Sequence, residues 1–145
     1  MATTVSESVV VRRGVDEVAK SAVDPEVVLP IMGGLGRFRH LGTQPDGTQH
    51  WDVFLDIGSI HVGGRVEVPP AGDHSLLWRS TRGTRHAARL EISPEGDHSV
   101  LAMELTIELG GLLTGPLTEL LARGIVRRHL QAGLQQLRHH LEFEV

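Results

Sequence analysis

From Arg37 to Leu109 the chain is a succession of short alternating segments divided by turn residues, and from Pro116 to Glu142 nothing stops a helix. The dividers are PDG at 45–47, GS at 58–59, PPAGD at 69–73, RGT at 82–84 and PEGD at 94–97. Each supplies glycine's access to positive φ or proline's fixed φ. Strands joined by connections this short pair antiparallel with their neighbours, because a parallel return needs a crossover of about a dozen residues or more. An antiparallel meander of six strands is therefore expected. In the closing segment Leu117, Leu120, Leu121, Ile125, Leu130, Leu134, Leu137 and Leu141 recur at helical spacing, so one long amphipathic helix is expected after the meander.

Ahead of the meander, VSESVVVR at 5–12 alternates like a strand, and DEVAKSAVDPEVVLPIM predicts two short helices divided at Asp24-Pro25. No composition shift, repeat or linker interrupts the chain, and one α+β domain over 1–145 is expected.

The hairpin QHWDVFLDI-GS-IHVGGRVEV carries its own register. A two-residue turn at Gly58-Ser59 sets Ile57 against Ile60, and every later pair follows. One face then pairs Asp56 with His61, Asp52 with Arg65 and His50 with Glu67, while Phe54 covers Gly63. The other face pairs Leu55 with Val62 and Trp51 with Val66. The grouping of His50, Asp52, His61 and Asp56 invites a metal reading. Complementary cross-strand partners explain it better as a solvated face, and no metal site is assigned.

The same reasoning pairs HAARLEI with HSVLAMELTIEL around PEGD: Ile92 with Ser99, Leu90 with Leu101, Ala88 with Met103 and His86 with Leu105. His86 falls on the apolar face, and Arg85, Ala87, Arg89 and Glu91 fall on the wet one. The hairpin over 75–93 has two readings. A two-residue loop brings Arg79 beside His86 on the inner face; a three-residue loop with a glycine bulge brings Leu76, Trp78 and Ser80 there. The second is favoured, because burying an indole costs less than burying an unpaired guanidinium.

Composition narrows the chemistry. With 14 basic and 18 acidic residues the formal net charge is -4, which gives no long-range attraction to nucleic acid or an anionic membrane. Cysteine is absent, which removes thiolate nucleophiles and cysteine-held metals and fits a reducing compartment. The start MATTVSESVVVRRG has no basic stretch followed by an apolar run, and no segment has the length of a membrane span. A cytoplasmic protein is expected. Lys20 is the only lysine among the 14 basic residues, an arginine-rich usage that points to a GC-rich bacterial genome.

Within Leu29–His40, LPIMGGLGRFRH, the glycines look like a phosphate cradle. A phosphate loop follows a strand and opens a helix, so that the helix N-terminus faces the anion. Here the order is reversed, and Gly33, Gly34 and Gly36 read as a helix stop that launches the meander. Pro30 and Met32 are expected near one end of an interior cavity, with Arg37 and Arg39 in water and Phe38 inward. No nucleophilic arrangement is found: Ser75, Ser80 and Ser99 lack a base-plus-carboxylate pair. Arg127, Arg128 and His129 form a short basic cluster that matches no nucleic-acid module.

The order of elements resembles the helix-grip fold of the START, Bet v 1 and polyketide cyclase (SRPBCC) superfamily. The resemblance rests on SVVVRRGVDEVAKSAVDPE as opening strand and helix, SLLWRSTRGTRHAARLEISPEGDHSVLAMELTIEL as the last three strands, and LTGPLTELLARGIVRRHLQAGLQQLRHHLE as the closing helix. Within that superfamily, PEVVLPIMGGLG, LDIGSIHVGGRVEV and ELGGLLTGPL resemble the G-subunit group of carbon monoxide dehydrogenase. The resemblance implies a curved antiparallel sheet of about seven strands wrapped around the long C-terminal helix, with a lipophilic cavity between them.

The ligand-facing residues expected from this arrangement are Trp51, Val53, Leu55, Val62, Trp78, Ser80, His86, Ala88, Met103, Leu105, Leu117 and Leu121. Small residues at Gly64, Ala88, Gly124 and Ser80 leave volume that a filled core would occupy. The resemblance implies a carrier or accessory protein for a lipid, quinone or polyketide-like molecule; no cofactor is expected. Two alternatives stay open: a cyclase or dehydratase-like enzyme using His86 as acid or base, with no other catalytic candidate, and an interaction module of toxin-antitoxin type with a filled core. A homodimer is left open.

Overall fold

The computed structural model describes residues 2–57, 60–108 and 116–144; the side chains of Ile57, Ile60, His61 and residues 116–119 lie outside that description. The order is β1 (Ala2–Val11), α1 (Val15–Ala22), α2 (Pro25–Ile31), β2 (Gly36–Thr43), β3 (Gln49–Ile57), β4 (Ile60–Val68), β5 (Ser75–Gly83), β6 (His86–Glu95), β7 (His98–Glu108) and α3 (Pro116–Phe143). The strands form one seven-stranded antiparallel sheet in the order β1-β7-β6-β5-β4-β3-β2. β1 and β2 are its two edges, so α1 and α2 carry the chain across the full width before the meander brings it back.

Local chemistry explains the entry to the sheet. Asp24 caps α2, its Oδ1 accepting from the Glu26 N–H at 3.0 Å, and Pro25 fills the first turn where no N–H is needed. The glycine segment that follows is a close-packing device. Gly34 N–H donates to Gln136 Oε1 of α3 at 2.6 Å, and a Cβ on Gly36 would stand 2.5 Å from the Phe54 carbonyl oxygen. Met32 and Leu35 are buried against Gly133 of α3. Pro30, expected at the cavity, is exposed instead, because the inward side of α2 is taken by Val28 and Leu29.

The β3–β4 register is the one read from the sequence, from Ile57 opposite Ile60 to His50 opposite Glu67, although Gly58-Ser59 themselves lie outside the described residues. In the next pair but one, Trp78 stands opposite Ala88 and is buried, so the indole and not Arg79 occupies the inner face. The connection is longer than a three-residue loop, because β5 runs on to Gly83 along β4.

β6 and β7 pair two residues away from the expected register: Ile92 faces Leu101, Leu90 faces Met103, Ala88 faces Leu105 and His86 faces Ile107. The turn is Gly96-Asp97, with Gly96 at φ +59, and β6 continues through Pro94. Proline's missing N–H is tolerated there because β5 stops pairing at Ser75 opposite Glu91. A slip of two leaves every side chain on its expected face.

α3 packs on the sheet through Ala122, Val126, Leu130, Leu134, Leu137 and Leu141, all buried. Its backbone lies closely along β1, with smaller contacts to β3, β7, α1 and α2; β4, β5 and β6 make no comparable approach to it among the described residues. Two polar ties fix it to β1: Arg127 Nε stands 3.2 Å from Glu7 Oε1, and Arg123 donates to the Thr4 carbonyl at 3.3 Å. At its far end the buried Glu142 accepts from the Arg12 N–H at 2.9 Å, while Arg13 Nη2 donates to the Glu142 carbonyl at 2.7 Å.

Candidate functional site

The concave face of the sheet is built by strand alternation. Trp51, Val53 and Leu55 of β3, Val62 of β4, Trp78 of β5, His86 and Ala88 of β6, and Met103 and Leu105 of β7 are all buried, as one inward-pointing set. Phe38 of β2 joins them, its ring meeting Trp78 edge-on at 5.8 Å between centroids.

Two expected members are placed differently. Leu121 is 62% exposed, because the inward stripe of α3 runs through Ala122 and Val126 and carries Leu120 and Leu121 outward. Leu117 lies outside the described side chains. Ala122 and Val126 were hidden at the sequence level by the many leucines around them, any of which completes a helical stripe.

Two indoles occupy this face with different polar fates. Trp51 Nε1 donates to Gln49 Oε1 at 2.9 Å. Trp78 Nε1 is buried with no hydrogen-bond partner, and so is His86 Nε2. Trp78 pairs with Ala88, so Trp78 and His86 are diagonal neighbours on the same face of adjacent strands. A donor and a ring nitrogen are thereby presented on an apolar wall.

The hydrogen bonds around His86 settle what its ring offers. Its backbone N–H donates to Ser80 Oγ at 3.1 Å, and its Nδ1 lies 3.0 Å from the Thr84 carbonyl oxygen. A carbonyl only accepts, so Nδ1 carries the hydrogen, and in the neutral ring Nε2 is a lone-pair acceptor. Burial holds the His86 pKa below its ordinary value, opposed in part by the bond to Thr84. The imidazole is therefore neutral at pH 7. It is arranged as an acceptor or base, and protonation would have to precede any role as acid. Ser80 is half-buried and spends its oxygen on the His86 backbone.

Of the three complementary pairs read from the hairpin, Asp52–Arg65 forms an ion pair at 3.7 Å, while Glu67 faces His50 in register but takes Arg79 as its partner. Asp52 also stands 3.0 Å from Arg39 Nη2, and the His61 side chain lies outside the described residues.

No known family's sequence profile matches the chain, and no curated protein is similar to it in sequence. Solved structures are similar in shape. TTHA0849 from Thermus thermophilus matches with a TM-score of 0.77 at 17% identity, over 96% of this chain and 97% of that one. The Zhui aromatase/cyclase from Streptomyces sp. R1128 matches at 0.67 and 15%, over 98% and 94%. A START superfamily protein from Mycobacterium smegmatis matches at 0.65 and 19%, over 92% and 96%. The open antiparallel sheet, the two short helices after its first strand and the long closing helix are the helix-grip fold of START-like and polyketide cyclase proteins.

Proposed function

We propose that the protein binds a lipophilic small molecule between the concave face of the sheet and α3, and serves as its carrier or accessory protein. The observation that carries this reading is the pair of buried, unpartnered polar atoms, Trp78 Nε1 and His86 Nε2, on an otherwise apolar face. Leaving such an atom unsatisfied costs about 1–3 kcal/mol, which a ligand offering a matching group recovers on binding. The surrounding Val, Leu and Met side chains supply the apolar contact that affinity needs. The fold's company supports it by analogy: one structural neighbour is an aromatase/cyclase and another a START protein. A lipid, quinone or polyketide-like molecule fits this wall, and the lack of cysteine suits a cytoplasmic setting.

A second reading is catalytic. The neutral His86 imidazole, with Nδ1 fixed on Thr84, is oriented to accept a proton from a bound polyketide-like substrate. In that case His86→Ala abolishes turnover and largely spares binding; equal loss of both argues against it.

The binding reading is tested with matched probes, 4-hexylphenol and 4-hexylanisole, followed through Trp78 fluorescence in a Trp51→Phe background. Both should bind saturably, since both place an acceptor near Trp78. The phenol should bind about fivefold to tenfold tighter, because only its O–H can donate to His86 Nε2, and His86→Phe should remove that preference. Absence of saturable binding by either probe overturns the reading.

A further inference from the structure

The outer face carries a charge arrangement that folding alone disfavours. Successive register positions align Arg39, Asp52, Arg65 and Arg82 in one row across β2, β3, β4 and β5. Asp52 is shared by Arg39 and Arg65. Arg82 stands directly opposite Arg65 and has no ion-pair partner among the described residues. Like charges opposite one another on neighbouring strands destabilise a sheet. In the adjacent row the Arg37 guanidinium lies 5.1 Å from the centre of the Phe54 ring, also without a carboxylate partner among the described residues.

The backbone holds this arrangement in place. Gly64, at φ +150, is paired with Gly83, at φ +88, and a Cβ on Gly64 would lie 1.9 Å from the Arg82 carbonyl oxygen. Only glycine permits that approach. Immediately beyond, the register shifts by one residue, a bulge that twists the strands and re-aims the side chains around it. The outcome is an open groove of about 600 Å³ lined by the four arginines, Asp52 and Phe54. Phe54 is 42% exposed and lies over Gly63. The volume is that of a small-molecule site.

We propose that this groove is an oxyanion site for a soluble phosphorylated small molecule, its phosphate oxygens between Arg65 and Arg82 and its apolar part against Phe54. Guanidinium forks match phosphate geometry, and a phosphate has enough oxygens to engage two forks at once. A bound phosphate would turn the Arg65–Arg82 repulsion into attraction, so the ligand would also stabilise the fold. The chain's net charge of -4 works against a flat anionic membrane as the occupant, whereas a ligand seated in the groove meets the local cations first. The site is on the face opposite His86 and does not depend on the lipophile reading.

Calorimetric titration of the full chain with inorganic pyrophosphate and with adenosine 5′-diphosphate at low salt tests it. Expected is saturable binding at one site per chain. Arg82→Ala should weaken pyrophosphate binding by about tenfold or more. Arg79→Ala removes the same charge outside the groove and should change it by less than about twofold. Phe54→Ala should erase the advantage of the nucleoside diphosphate over pyrophosphate. No saturable binding overturns the proposal, as does equal weakening by Arg79→Ala or an advantage that survives Phe54→Ala. Association with phosphatidylglycerol vesicles but not with pyrophosphate overturns it in favour of a membrane headgroup. Arg82 is exposed, so thermal unfolding should show its variant folded.

Discussion

The Nδ1 of His86 and the carbonyl oxygen of Thr84 stand 3.0 Å apart, and that one contact orients a buried imidazole so that its other nitrogen faces the interior as an acceptor. What the ring can recognise, and how stability depends on pH, both follow from it.

Because burial lowers the folded pKa of His86 below the unfolded value of about 6.5, the unfolded chain binds the proton more readily. The His86 contribution is therefore fully present above about pH 6.5 and is lost as pH falls through the folded pKa. Urea unfolding across this range should show wild-type stability dropping on acidification. The stability of wild type relative to His86→Phe should fall in step, and a relative stability constant with pH would contradict a buried neutral imidazole.

Trp51 and Trp78 should respond differently to removal of the indole N–H. Trp51→Phe strands Gln49 Oε1 and loses a formed bond, whereas Trp78→Phe deletes an unpartnered donor. Chemical denaturation of the ligand-free protein should show Trp51→Phe costing about 1 kcal/mol more. The ranking should reverse in hexylanisole affinity, where Trp78 is the donor.

Gly64 and Gly83 hold the β4–β5 junction at a separation no side chain allows. Gly64→Ala should cost about 3 kcal/mol or more, through both the clash with the Arg82 carbonyl and the positive φ. Gly124→Ala, where a Cβ meets nothing within 4 Å, should be neutral or stabilising by up to about 1 kcal/mol. Equal effects in denaturant would contradict the described junction.

Glu142 ties the end of α3 to the chain leaving β1. Glu142→Ala leaves the Arg12 N–H without its acceptor and should cost about 1–3 kcal/mol. Hydrogen exchange should show the Arg12 amide and the last turn of α3 opening first.

How far the fold could be read ahead of the structure varied with the local chemistry. The β3–β4 hairpin was legible because a two-residue connection leaves one register. The β6–β7 hairpin was legible only in its faces: Pro94 suggested a strand end, yet it lies where β5 no longer needs its N–H, so the turn moved to Gly96-Asp97. Trp78 and His86 were placed on the inner face by alternation alone. Their orphaned atoms were not foreseeable, since a hydrogen-bond partner depends on contacts distant in the chain. The same holds for the arginine row. Arg39, Asp52, Arg65 and Arg82 align only once three strand pairings are fixed, and the β4–β5 bulge that completes the row has no signature beyond its glycines. In α3 the abundance of leucine concealed the stripe, and the smaller Ala122 and Val126 take the place expected for Leu121.

Native mass spectrometry of the protein purified from the organism that makes it tests the central claim most directly. The account predicts a stoichiometric apolar small molecule, one per chain, that survives gentle desolvation and is depleted in His86→Phe. Protein recovered reproducibly without any bound small molecule would contradict it.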